Sequence, residues 1–165
     1  MKARSLIVLV LAVACSHPAA PDTTAAVDRI VVDKSDRQLE LFAGNALVRQ
    51  YRVALGREPI GPKLQEGDNR TPEGRYLIDR RNPDSAFHRS LHISYPNADD
   101  QLRAKALSVE PGGDIMIHGI RNGLGWLGRL HRLRDWTRGC IAVTNAEIEE
   151  IWHLVPDGTP IDIQP

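Results

Sequence analysis

Between Arg29 and Gly56 the chain alternates short apolar runs with turn signals, and that rhythm restricts the fold more than any other feature. Arg29-Ile30-Val31-Val32-Asp33 and Arg37-Gln38-Leu39-Glu40-Leu41-Phe42 read as strands, and the second alternates polar and apolar residues as a half-buried strand does. Ser35-Asp36 between them predicts a hairpin, and Ala43-Gly44-Asn45 turns the chain into a third run, Ala46 to Gly56. Thr71-Pro72-Glu73-Gly74 is a turn feeding Arg75 to Ile78, because Pro72 fixes φ and Gly74 permits the bend. Leu91 to Tyr95 is a strand stopped by Pro96, Ile115 to Ile117 is a strand carrying His118 at its end, and Thr159 to Ile163 is a closing strand. Leu102, Ala106 and Leu107 suggest a short helix over Asp99 to Leu107. Thr144-Asn145-Ala146-Glu147 is a capping box that opens a second helix, with Ile148, Ile151, Trp152 and Val155 as its apolar stripe. Gly119 to Leu130 holds Gly119, Gly123, Gly125 and Gly128 and reads as a long irregular loop over one end of the sheet. It is no phosphate loop, since it lacks the G-K-[ST] ending and the strand-to-helix G-x-G-x-x-G. The fold class is therefore mainly β, a sandwich or mixed sheet with one or two short helices.

The beginning of the chain is of another kind. Lys2 and Arg4 precede Leu6 to Ala14, an apolar run too short to span a bilayer as a helix. Ala12-Val13-Ala14 is a cleavage signal and Cys15 follows it, an arrangement that resembles a bacterial lipoprotein signal with Cys15 as the lipidated residue. A plain secretory signal, cut before Cys15 or within His17-Pro18-Ala19-Ala20, is the alternative. Residues 1–15 are thus read as an export signal, 16–26 as a Pro-, Ala- and Thr-rich tether, and 27–165 as the folded domain. Such a signal predicts an exported, periplasmic domain, held at the outer membrane if Cys15 is lipidated, with the lipid as its only membrane attachment. With Lys+Arg and Asp+Glu both at 21, the chain lacks the basic excess of a general nucleic-acid binder.

Removing the leader leaves Cys140 without an internal partner. An unpaired thiol in an oxidising compartment is either an inert buried group or a reactive one. Its neighbours favour chemistry: Thr137-Arg138-Gly139-Cys140 leads into an apolar run, and His118-Gly119 lies upstream at the end of a strand. A free thiol with its ordinary pKa of about 8.5 is only a few per cent thiolate at neutral pH, so a cysteine nucleophile needs a base. His118 can take that proton. Gly139 lets the backbone approach a substrate closely, and the amides of Gly139 and Cys140 are the expected oxyanion donors.

His118-Gly119 followed by Thr137-Arg138-Gly139-Cys140-Ile141 resembles the signature of the L,D-transpeptidase (YkuD-type) catalytic domain, a His-Gly and then [S/T]-x-G-C-[I/V]. Thr71-Pro72-Glu73-Gly74 and Pro156-Asp157-Gly158-Thr159-Pro160 resemble two further turns of that family. Many members have His where Arg138 stands and Arg where Ala142 stands, and the spacer here is longer, differences that bear on substrate more than on reaction type. The resemblance implies a YkuD-like sheet, peptidoglycan stem peptides as substrate, no cofactor, and the Gly119 carbonyl as the group that orients His118. It further implies a thioester on Cys140 that an amine resolves, in a 3→3 cross-link, on an anchored protein's lysine or on a free D-amino acid. A hydrolase of the same bonds and a non-catalytic wall-binding lipoprotein are the competing readings.

Around these residues the chain is rich in arginine: Arg121, Arg129, Arg132, Arg134 and Arg138. Such a cluster can bind substrate carboxylates and lower a thiol pKa, and Arg138 is the first choice because it lies two residues from Cys140. Trp126 and His92 are the other expected substrate contacts, with Trp136 as a second candidate wall of the groove. His88, His131 and His153 are read as structural. No H-E-x-x-H, C-x-x-C or paired Cys/His spacing points to a metal.

Overall fold

The computed structural model describes residues 26–165. The leader, Cys15 and nearly all of the tether lie outside the described residues. Eight strands form one mixed sheet in the order β3-β2-β1-β8-β4-β5-β6-β7. β1 (Arg29–Asp33), β2 (Gln38–Ala43) and β3 (Ala46–Arg52) make the expected antiparallel meander. The closing strand β8 (Pro160–Gln164) lies parallel to β1 and antiparallel to β4 (Gly74–Asn82). From β4 the sheet continues through β5 (Ser90–Ile93) to β6 (Met116–His118), and then in parallel to β7 (Ile141–Ala142). The sheet curls so far that Ala54, just beyond β3 at one edge, exchanges backbone hydrogen bonds of 2.8 and 2.9 Å with Ala142 at the other.

Period-two burial explains these strands. Ile30 and Val32 of β1, Leu39 and Leu41 of β2, and Ile161 and Ile163 of β8 are buried and alternate with more exposed neighbours. Helix α2 (Asn145–Leu154) lays Ile148 and Ile151 into the same core, followed by Val155, while Trp152 is only half-buried. Its capping box is formed as expected, with the Thr144 hydroxyl accepting from the Glu147 amide and the Glu147 carboxylate from the Thr144 amide.

Two expectations need correction. Helix α1 (Ala98–Leu107) exists, but Leu102, Ala106 and Leu107 do not form its inner face: Leu102 and Leu107 are 66% and 52% exposed, and the buried residues are Asp100 and Ala104. The helix is set by its ends, an Asn97–Asp100 capping box and a left-handed Ser108, rather than by an apolar stripe. The Gly-rich stretch is more regular than its composition predicts. Gly125–Leu133 forms 3₁₀ turns, broken at Gly128, whose φ of 47° and ψ of −128° suit glycine.

Candidate active site

The register of β6 and β7 builds the site. Ile117 pairs with Ile141 and His118 with Ala142, so Cys140, one residue before β7, falls beside Met116. Side chains two apart on a strand share a face, which sets Cys140 and His118 on the same face of this parallel pair. Both line a cleft of ≈ 870 Å³, walled also by Phe87, Ile115, Trp136 and, from the 3₁₀ segment and the residues leading into it, Leu124 and Leu127.

The residues before Cys140 are held rigidly. Thr137, buried, donates its hydroxyl proton to the Cys140 carbonyl at 2.7 Å and accepts the Gly139 amide at 3.1 Å. Its own amide donates to the Leu55 carbonyl, and its carbonyl accepts from Arg57. Asp135 accepts the Leu55 amide at 2.9 Å while Arg37 grips its other oxygen. Gly139 sits at φ 130°, and a Cβ there would fall 2.5 Å from the Arg70 carbonyl oxygen, so this position admits only glycine without rearrangement. The Thr137 clamp corrects one expectation. Because the Gly139 amide already donates to Thr137, it is not a free oxyanion donor.

His118 is buried, with its Nδ1 2.7 Å from the Gly119 carbonyl oxygen. A carbonyl only accepts, so Nδ1 carries the proton and Nε2 is left with a lone pair. Asn145, the first residue of α2, fixes the turn that follows: its Oδ1 accepts the Ile120 amide at 2.8 Å, and a Cβ on Gly119 would come within 2.9 Å of that oxygen. The imidazole ring lies 4.5 Å from the Phe87 ring, tilted by 39°, and meets Trp136 edge-on at 5.7 Å. Burial pushes its pKa down to about 4, against the pull of the Gly119 hydrogen bond.

The thiol is half-buried and donates weakly to the Asp114 carbonyl at 3.5 Å. Burial raises its pKa; the Met116 amide and Lys63 oppose that, Asp114 adds to it, and the net shift is upward. No arginine is among the groups that lower it; the cation that does is Lys63. Burial thus disfavours the charged form of both the thiol and the imidazole.

The other predicted contacts divide. Arg138 and Arg121 line the cleft, joined by Arg57, which the sequence did not single out. Arg132 is instead bound to Glu147, and Arg129 and Arg134 are exposed outside the cleft lining. Trp136 is part of the wall, whereas Trp126 is 77% exposed and stands outside it, because the 3₁₀ turns aim Leu124 and Leu127 inward instead. His92 lies in a smaller adjoining hollow with Arg80 and Met116. His131, expected to be structural, lines the cleft: it is buried, accepts the Trp136 Nε1 proton at 3.3 Å, and has a pKa pushed to about 4 by burial, with Arg132 adding to the shift. Phe87 and His131 carried no motif in the sequence, and Asn145 was read there only as part of the α2 capping box; the fold brings them here. Among the described residues no three His, Cys, Asp or Glu side chains gather as a metal site.

Comparison with known proteins agrees with this geometry. The family model of the L,D-transpeptidase catalytic domain (YkuD) matches residues 27–163. The Escherichia coli (strain K12) protein YafK, named as a candidate L,D-transpeptidase, is 30% identical over 132 residues, which cover 76% of this chain and 46% of YafK. Among solved structures, the helical cell shape determining protein Pgp2 from Campylobacter jejuni superposes with a TM-score of 0.65 at 26% identity, over 85% of this chain and 48% of Pgp2. Bd1075 from Bdellovibrio bacteriovorus gives 0.59 at 25% identity, over 87% and 49%. The chain thus spans about half the length of these relatives. A half-buried thiol and a carbonyl-oriented histidine, set in one cleft on a mostly β fold that the family model covers almost end to end, make this chain a member of the L,D-transpeptidase catalytic domain family.

Proposed function

We propose that the domain transfers acyl groups of peptidoglycan stem peptides through a thioester on Cys140. The observation that carries this reading is the placing of Cys140 and His118 on one face of the β6–β7 pair within a single cleft. Cys140 Sγ attacks the amide carbonyl between the L-centre of meso-diaminopimelate and the terminal D-Ala of a tetrapeptide stem, and His118 Nε2 takes the thiol proton as the C–S bond forms. The Cys140 amide supports the oxyanion, since the Gly139 amide is engaged by Thr137. When the C–N bond breaks, His118 returns its proton to the departing D-Ala amine, leaving the thioester. An amine then resolves it, and Arg138, Arg121 and Arg57, which line the cleft, hold substrate carboxylates in this reading. Water in place of the amine would make the enzyme a hydrolase.

The deciding experiment is intact-protein mass spectrometry after exposure to a carbapenem. The wild type is expected to gain one drug mass on Cys140, and Cys140→Ala and His118→Ala are expected to gain none. An unmodified wild type would leave a non-catalytic wall-binding domain. Products from muropeptides then separate transfer from trimming. We assign the domain to the periplasm, where the substrate lies. Mass analysis of the mature N-terminus separates a lipid-anchored Cys15 from simple secretion.

A further inference from the structure

Trp136 stands between the imidazole of His118 and the turn that carries Cys140. Its ring meets His118 edge-on at 5.7 Å and lies 6.0 Å from Phe87, which flanks the same imidazole. Its next neighbour along the chain is Thr137, whose hydroxyl shapes the approach to Cys140. An indole has one polar atom, the Nε1–H, and it only donates. Here that proton goes to His131 Nδ1 at 3.3 Å, with the two rings nearly perpendicular at 84°. The bond closes the bend between the 3₁₀ segment and the Cys140 turn.

Because Nδ1 accepts, the neutral His131 ring carries its proton on Nε2. Nε2 is buried and has no hydrogen-bond partner among the described residues, so the bond from Trp136 is the one that ties this ring to the protein. Burial and Arg132 push the His131 pKa down to about 4; Glu147, itself bound to Arg132, pulls the other way, and His118 adds to the fall. The Nδ1 lone pair is thus open to the indole at neutral pH.

We propose that His131 is a positioning residue for the general base: by accepting the indole proton it holds Trp136 against His118 and keeps water from that ring. This rests on the acyl-transfer reading above, in which His118 takes the thiol proton. Without an acceptor at position 131, the indole N–H is left unpaired in an apolar wall, a costly state. Trp136 is only half-buried and lines the cleft, so it escapes that cost by turning its N–H to solvent. The edge of His118 that it covers is then hydrated, and the burial that depresses the His118 pKa is relieved.

The test compares the wild-type full chain with His131→Phe, which keeps an aromatic ring but has no acceptor, and His131→Gln, whose side-chain carbonyl accepts. NMR titration of the His118 imidazole, assigned against His118→Ala, reads the effect without any activity. Wild type and His131→Gln are expected to titrate near 4, and His131→Phe about one pH unit higher, toward the free imidazole value. Carbapenem acylation of Cys140 is expected to fall about tenfold in His131→Phe and to stay within about threefold of wild type in His131→Gln. In a Trp136→Phe background, which has no N–H to satisfy, His131→Phe is expected to add no further shift. A side chain that merely fills space leaves the His118 titration unmoved in His131→Phe, and that result overturns the proposal. So does an equal shift in both His131 variants, or a full further shift in the Trp136→Phe background. A wild type that is never acylated removes the transfer reading, and the titration alone then decides whether His131 seals His118.

Discussion

At the scale of single residues, the site combines a thiol raised by burial with an imidazole lowered to about 4 by burial. In the proposed acyl transfer, such a pair would work by general base catalysis from its neutral form rather than as a preformed ion pair. Iodoacetamide should therefore alkylate Cys140 slowly at neutral pH and faster as pH rises through the ordinary thiol range and beyond. A plateau near neutrality would mean a thiolate stabilised by His118 imidazolium. For acylation, the acid limb of the pH profile should lie near pH 4 to 5, well under the 6.5 of a free imidazole, because only protonation of His118 removes the base. Thr137 offers a second prediction. Thr137→Val removes two hydrogen bonds that shape the turn into Cys140, and acylation should fall by about 10², since small displacements of a reacting group cost that much. Thr137→Ser keeps the hydroxyl and should recover most of the rate. Cys140, His118 and Gly139 stand out in the sequence because each is a chemical type at a telling spacing. The sequence does not show that Thr137 occupies the Gly139 amide, which depends on the turn geometry.

At the scale of elements, what was legible tracked short-range pattern. The β1–β2–β3 meander and the α2 capping box are local: alternation and turn residues determine them within a few positions. What was not legible depends on packing between distant segments. Leu102 and Leu107 looked like the inner face of α1, but the contact surface offered to that helix accommodates only Asp100 and Ala104. Trp126 looked like a groove wall, yet the break at Gly128 and the 3₁₀ turns leave it in solvent. Asn145 illustrates the same limit, since nothing near it in sequence says that it holds the loop after His118. Its side chain joins α2 to that loop through the Ile120 amide, and both Gly119 and Gly125 pack against it. Asn145→Ala should therefore lower kcat/KM for acylation while far-ultraviolet circular dichroism stays native. Stability should fall by about 1–2 kcal/mol, the cost of an orphaned amide.

At the scale of the whole molecule, the two buried histidines make stability depend on pH. His118 and His131 both sit in the protein with pKa values near 4, against 6.5 when the chain unfolds. The unfolded chain therefore binds more protons than the native one between these values, so stability is fully present above pH 6.5 and declines as pH falls toward 4. At pH 5 each histidine should cost about 2 kcal/mol relative to pH 8, by linkage. The lowered carboxyls act in a lower window. Burial raises the Asp68 pKa, but Lys63 and the amides of Leu64, Arg70 and Gln65 outweigh it, and Glu147 is likewise held down against burial by Arg132 and Thr144. Their stabilisation is present above the ordinary carboxyl range and is lost only as pH drops below it. The interval from pH 6.5 to 5 thus belongs to the histidines. Urea denaturation at pH 8 and pH 5 should show a loss of about 4 kcal/mol for the wild type, and His131→Phe should halve it. A wild-type loss under about 1 kcal/mol would mean that neither ring is buried as described. Retention of the full loss in His131→Phe would place the dependence on other groups.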